Sequence, residues 1–153
     1  MNRLIMAIAT GAYVGTISKA PGTWGSVAAL LPWVLIKDLP LPLYCAIIAG
    51  TFIVGFLAAG SAEKLLDTPD AGAIVIDEIV GMFITLLLAP AHPLAWLLGL
   101  IYFRIFDIAK PFPVFWFDQH IHGGMGIMLD DVVAGLYALL TLQLSWYIGG
   151  MLF

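Results

Sequence analysis

The chain has 153 residues, of which 62% are hydrophobic and only 10% charged, with a formal net charge of −4. An ordinary soluble domain carries about 25% charged residues, so the polar side chains here are too few to cover a water-facing surface and part of that surface must face lipid. Six Lys and Arg that do not cluster exclude a nucleic-acid footprint, and a single cysteine excludes an intrachain disulfide.

One domain over residues 1–153 is expected at this length. An apolar stretch over 4–17 follows Arg3 without a small-residue cleavage site, so it reads as part of the mature protein rather than as a signal peptide. A polar segment over 18–26 leads into a short apolar run over 27–36 that contains Pro32. Residues 39–62 carry no charge and, as a helix of ~36 Å, can cross a hydrocarbon core of ~30 Å. Cys45 lies inside this run and reads as a small core or lipid-facing residue. After a polar stretch over 63–72, residues 79–103 are again uncharged but are interrupted by Pro90-Ala91-His92-Pro93.

That interruption allows a single kinked span or a hairpin of two short helices. The Pro-x-x-Pro spacing with a polar His favours the hairpin, which would return Arg104 and Asp107 to the membrane side of Asp77 and Glu78. A polar segment over 111–126 precedes the last uncharged run, 132–153, which is also long enough to cross. These apolar lengths favour helices over strands. The expected fold class is all-α: a multihelical integral membrane protein with short and membrane-spanning helices packed around an interfacial polar site.

The few charges stand at the ends of the apolar runs. Asp77-Glu78 opens the third, Arg104, Asp107 and Lys110 follow its end, and Asp130-Asp131 is expected to open the last. Ionisable groups at membrane segments are costly and persist where they pair, bind ions or catalyse. Five acids cannot all ionise close together in low dielectric without added positive charge. A hard divalent cation on oxygen ligands would supply it, with Mg²⁺ the usual choice beside a phosphate. Asp77, Glu78, Asp130 and Asp131 are the expected metal ligands, although consecutive residues diverge by about 100° on a helix, so one of each pair can face elsewhere. Helix capping is the alternative explanation of each acidic pair, but two such pairs opening two apolar helices beside a cation pair favour the ion over capping alone. Arg104 and Lys110 suit phosphate oxygens, as a fork and as a point charge. Asp107 lies three residues from each of them, on one helical surface.

Two segments offer an anion seat. Lys19-Ala20-Pro21-Gly22-Thr23-Trp24-Gly25-Ser26 brings a cation, hydroxyls and a turn before an apolar helix, with Lys19 and Thr23 as substrate contacts or Ser26 as a simple N-cap. His122-Gly123-Gly124-Met125-Gly126 brings backbone N–H groups at Gly124 and a histidine able to move a proton, or forms a plain turn. His92 and His120 read as structural or solvated. Asp38, Glu63, Asp67, Asp70, Asp118, Lys37 and Lys64 read as solvated charges, and Trp33, Trp96, Trp116 and Trp146 as interface anchors.

Four of these segments, in order, carry a resemblance: the Lys19–Ser26 run, Ile76-Asp77-Glu78-Ile79-Val80-Gly81, Phe103-Arg104-Ile105-Phe106-Asp107-Ile108-Ala109-Lys110-Pro111, and the run from His122 through Asp130-Asp131-Val132-Val133-Ala134-Gly135. The chain resembles the type A phosphatidylglycerophosphatase family of bacteria over nearly its whole length. The resemblance implies a multihelical inner-membrane enzyme that needs Mg²⁺ and converts phosphatidylglycerophosphate to phosphatidylglycerol and phosphate. Asp77, Glu78, Asp107, Lys110 and Asp131 are then the expected catalytic residues, and Lys19, Thr23, Arg104, His122 and Gly124 the substrate contacts. The expected surroundings are a lipid bilayer and a phospholipid substrate, with no nucleic acid. Arg3, Lys19, Arg104 and Lys110 place the site on the cytoplasmic side of a multi-pass protein by the positive-inside rule. Neither a Cys-x₅-Arg nor an Asp-x-Asp phosphatase motif occurs. The rival reading is a small ion or proton transporter subunit using the same acids.

Overall fold

The computed structural model describes residues 2–17 and 19–152. Among these residues, seven α-helices follow in order: α1 (Asn2–Ala9), α2 (Pro21–Ile36), α3 (Leu41–Leu66), α4 (Ile76–Thr85), α5 (Pro93–Ala109), α6 (Val114–His120) and α7 (Gly123–Leu152), with a 3₁₀ turn at Val14–Thr16. No strand occurs among the described residues, and the all-α expectation holds.

Among the described residues two helices, α3 and α7, are long and apolar enough to cross a membrane. Their apolar outer faces are uncovered: Ile53, Leu57, Leu140 and Leu144 are all exposed. Apolar side chains in such numbers on the outside suit a lipid environment. The long helix α7 is the axis of the fold and packs against α3, α4, α5 and α6. Around it Phe103, Met82, Leu86, Leu142 and Trp33 form one buried cluster, and Ala59, Ala62, Val80 and Met128 a second. Trp33 is thus a core residue and not an interface anchor; it meets Trp96 edge to face at 5.3 Å.

The Pro90–Pro93 interruption is a hairpin. α4 ends at Thr85, α5 begins at Pro93, and α5 runs back until Arg104 stands beside Glu78. Backbone groups at such a turn must find partners inside the protein when water is scarce. Gln143 Nε2 donates to the carbonyls of Leu87 and Leu88, Trp96 Nε1 donates to that of Pro90, and His92 Nδ1 accepts the Leu94 N–H as the N-cap of α5. At the top of the hairpin, Tyr44 on α3 donates to the Phe83 carbonyl at 2.7 Å.

Three boundaries differ from the sequence reading. α7 begins at Gly123, so Asp130 and Asp131 lie two turns inside it and do not open it. The glycines that read as a loop are its first turn: Gly124 lies so close to α3 that a Cβ would stand 2.3 Å from the Phe56 carbonyl oxygen. Likewise α2 starts at Pro21, which suits a first helical position. Ser26 is therefore buried within α2, donating to the Gly22 carbonyl, and is no N-cap. The polar segment over 111–126 contains the short helix α6.

Candidate active site

The site begins with a contact between α4 and α7. A Cβ on Gly135 would stand 2.7 Å from the Gly81 carbonyl oxygen, and one on Gly81 2.4 Å from the Phe103 ring. Only glycine at both positions lets the two backbones come this near. Thr85 Oγ1 sits beside the crossing and donates to the Gly81 carbonyl at 2.8 Å. Asp77 lies four residues before Gly81, and Asp131 four residues before Gly135. Residues four apart share a helix face, so the close crossing of the glycines sets the two acids against each other one turn earlier.

The result is a group of three carboxylates from two helices. One ligand oxygen from each of Asp77, Glu78 and Asp131 lies within 4.8 Å of the others. Asp77 Oδ1, Glu78 Oε2 and Asp131 Oδ2 are buried and make no hydrogen bond. Buried polar atoms are ordinarily satisfied, and three adjacent carboxylates that each keep an unpaired oxygen suit a hard cation with oxygen ligands. These residues fit such an ion. Burial pushes the Asp77 carboxyl well up, with the Glu78 and Asp131 charges adding to it. Burial also raises Glu78, to about 6.

The acids form one side of a cavity of about 330 Å³ that also takes in Gly22, Asp70, Arg104, Asp107, Lys110 and Asp130. Arg104 Nη1 stands 2.5 Å from Asp107 Oδ2 and 3.8 Å from Glu78 Oε1, while its Nε is buried without a partner. Gly22, in the first turn of α2, lies so close that a Cβ would stand 2.2 Å from Glu78 Oε1 and 3.0 Å from Arg104 Nη1. Lys110 ion-pairs with Asp118 at 2.5 Å and Asp130 at 2.8 Å. Burial works against its charge, but the hydrogen bonds it donates to these two carboxylates outweigh that and its pKa rises above the ordinary lysine value.

Of the residues singled out from sequence, Asp77, Glu78, Arg104, Asp107, Lys110, Asp130 and Asp131 are brought to one cavity. Asp130 stands apart from the three-acid group, turned to Lys110 by the angular divergence of neighbouring helix residues. The remaining substrate contacts are not in this cavity. Lys19 is exposed beside it, and Thr23 lines an adjoining apolar groove. His122 is exposed in a neighbouring pocket with Glu63, Asp70 and Asp118, and Gly124 is engaged in packing α7 on α3. Sequence reasoning passed over Asp70 and Asp118. Both sit in polar segments where a charge attracts no notice, and no local spacing ties them to Lys110.

A family model described as PgpA, phosphatidylglycerophosphatase A, matches residues 7–146. A phosphatidylglycerophosphatase A of Escherichia coli is 42% identical over 130 residues, 84% of this chain and 76% of the relative. One of Haemophilus influenzae is 39% identical over 139 residues, 90% and 85% of the two chains. A third relative, from Bacteroides thetaiotaomicron, is 36% identical over 157 residues, 95% and 96% of the two, and the activity its name proposes is that of a phosphatidylinositol-3-phosphatase. No solved structure matches the chain. With nearly its full length matched and its acids gathered at one cavity, the chain belongs to the phosphatidylglycerophosphatase A family.

Proposed function

We propose that the acidic cavity hydrolyses the terminal phosphomonoester of phosphatidylglycerophosphate to phosphatidylglycerol and phosphate, with Mg²⁺ held by Asp77, Glu78 and Asp131. Family membership supplies the substrate. The observation that carries the metal is the trio of buried carboxylates that can each bring one oxygen within 4.8 Å of the others and that each keep an oxygen without a hydrogen-bond partner. Bound there, Mg²⁺ supplies a Lewis acid that offsets charge on the phosphoryl oxygens.

The chain's own residues do the rest. Six acids and two cations line the cavity, so a dianionic phosphate needs local positive groups, and Arg104 and Lys110 are those groups. Arg104 keeps an unused N–H at Nε for a phosphoryl oxygen. Lys110 stays charged between Asp118 and Asp130 and holds its position. Gly22, having no Cβ, lets the Glu78 and Arg104 side chains lie against the first turn of α2. Hydrolysis forms one P–O bond to a water oxygen and breaks the one to the head-group glycerol. The cavity carboxylates are the groups in reach of that water's proton. A site at one end of the helices suits a lipid that keeps its tails in the bilayer, and we place it at the inner membrane of a bacterium, facing the cytoplasm.

Phosphate release from phosphatidylglycerophosphate by the purified protein in detergent tests the reading. Activity is expected to vanish with EDTA and return with Mg²⁺. Undiminished activity in EDTA removes the metal from the proposal. Cleavage of phosphatidylinositol 3-phosphate with no turnover of phosphatidylglycerophosphate removes the substrate.

A further inference from the structure

The acidic cavity shares a wall with an apolar space. Thr23 on α2 and Leu100, Ile101, Ile105 and Ile108 on α5 line an open groove of about 540 Å³. Arg104 and Ile108 line both the groove and the cavity. A second apolar groove, of about 490 Å³ between α3, α4 and α7 and lined by Phe52, Ile53 and Val132, shares no residue with the cavity. Continuity with the site therefore singles out the first.

The α5 face of this groove is built for a long apolar ligand. Leu94, Leu97, Ile101, Ile105 and Ile108 are all exposed, at spacings of three and four that place them on one helix face. The stripe runs ~21 Å along α5, against ~15 Å for one leaflet of a hydrocarbon core of ~30 Å. Arg104 lies between Ile101 and Ile105 at the stripe's C-terminal part, where the groove meets the polar site. An apolar track bordered by a cation with an unpartnered N–H matches a lipid anion, with a tail along the track and the phosphate on the far side of Arg104 in the acidic cavity.

We propose that the groove between α2 and α5 holds an acyl chain of the substrate, so that the lipid enters sideways from the bilayer and its head group passes Arg104 into the acidic cavity. The proposal rests on the phosphatase reading above. It identifies α5, and not the equally exposed α3, as the face that selects for a membrane-bound substrate.

Two experiments separate the proposal from that reading. In the first, Ile105→Trp, which fills the groove, is compared with Ile53→Trp, which fills the unconnected one, on long-chain phosphatidylglycerophosphate in mixed micelles. Ile105→Trp is expected to lose ~10-fold or more in kcat/KM, the scale on which pocket shape discriminates. Ile53→Trp should stay within about twofold, a near-neutral change on the same scale. Thermal melting of both variants controls for folding. Equal activity of the two variants overturns the groove, whereas an inactive wild type overturns the phosphatase reading.

The second experiment needs no turnover. The wild-type protein is irradiated with phosphatidylglycerophosphate carrying a diazirine in one acyl chain, and the labelled residues are mapped by mass spectrometry. Labelling on α5 between Leu97 and Ile108 that unlabelled substrate displaces supports the proposal. Labelling centred on Phe52 and Ile53, or labelling that a diazirine phosphatidylcholine reproduces equally, overturns it.

Discussion

Asp131 is 3% exposed and carries an oxygen with no partner, so its charge has no use in holding the fold together. Asp131→Asn keeps the shape and removes the charge. We expect phosphate release to fall by on the order of 10²-fold or more, as when a preorganised electrostatic group is removed, with expression and melting temperature kept or improved. Full activity in this variant would take Asp131 out of the site. Gly22 is a test of space rather than charge. In Gly22→Ala the new methyl must displace Glu78 Oε1, which it would meet at 2.2 Å. Misplacing a catalytic group by about 1 Å can cost up to ~10²-fold, and kcat should drop while helix content by circular dichroism is unchanged. The raised Glu78 carboxyl adds a pH test. Its value in the fold, about 6, exceeds the ordinary 4.5, so the folded metal-free protein binds the extra proton more tightly than the unfolded chain. That contribution to stability is fully present below 4.5 and is lost as pH rises through about 6. A divalent ion competes with the proton. Mg²⁺ should therefore raise the melting temperature more at pH 7.5 than at pH 5, and an equal rise at both would separate Glu78 from the metal.

At the scale of helices, the repeated Asp-x-x-x-Gly spacing of Asp77 with Gly81 and Asp131 with Gly135 decides where the acids meet. A Cβ at Gly135 would press on the Gly81 carbonyl oxygen at 2.7 Å, and backbone cannot step aside as a flexible side chain can. Overpacking of this kind costs about 1–3 kcal/mol, and it also widens the gap between the acids one turn away. Gly135→Ala should lower the melting temperature and the apparent Mg²⁺ affinity together. A variant that melts lower but binds Mg²⁺ as before would show that the crossing does not set the site. The acids themselves were legible in the sequence because charges are so rare in this chain that each one stands out. The hairpin was legible too, because prolines at both ends of Pro90–Pro93 cannot continue a helix. What joined them was not. The two Asp-x-x-x-Gly spacings lie in separate segments, and nothing local says that their glycines touch. The start of α7 was misread for a related reason: glycines mark loops in most sequences, but here their missing side chains let one helix lie on another. Asp70 and Asp118 were hidden by the opposite effect, since a charge in a polar segment carries no signal until the α3–α4 loop and the short helix α6 are folded beside Lys110.

The whole molecule is polarised along its helices. α2 starts at the acidic cavity, α7 starts at the pocket beside it, α3 and α5 end near it, and the loop with Asp67 and Asp70 and the short helix α6 lie at the same end. The opposite end holds the α2–α3 turn, where Lys37 pairs only with Asp38 at 2.6 Å, and the Pro90–Pro93 hairpin. Between them, α3 and α7 provide ~39 Å and ~45 Å of helix, more than the ~30 Å of a hydrocarbon core, while α4, at ~15 Å, does not cross. This geometry predicts that the two ends are in different compartments, with the catalytic end on the side rich in Lys and Arg, the cytoplasm. The prediction can be read with single cysteines in a Cys45→Ser background, because Cys45 faces outward from α3. Thr68→Cys, on the α3–α4 loop, should react with a membrane-impermeant maleimide only after the inner membrane is opened. Asp38→Cys, on the α2–α3 turn, should react in intact spheroplasts. Reaction of both from the same side would mean that α3 does not span, and the acidic cavity would then have to reach its lipid from a protein lying on the membrane rather than through it.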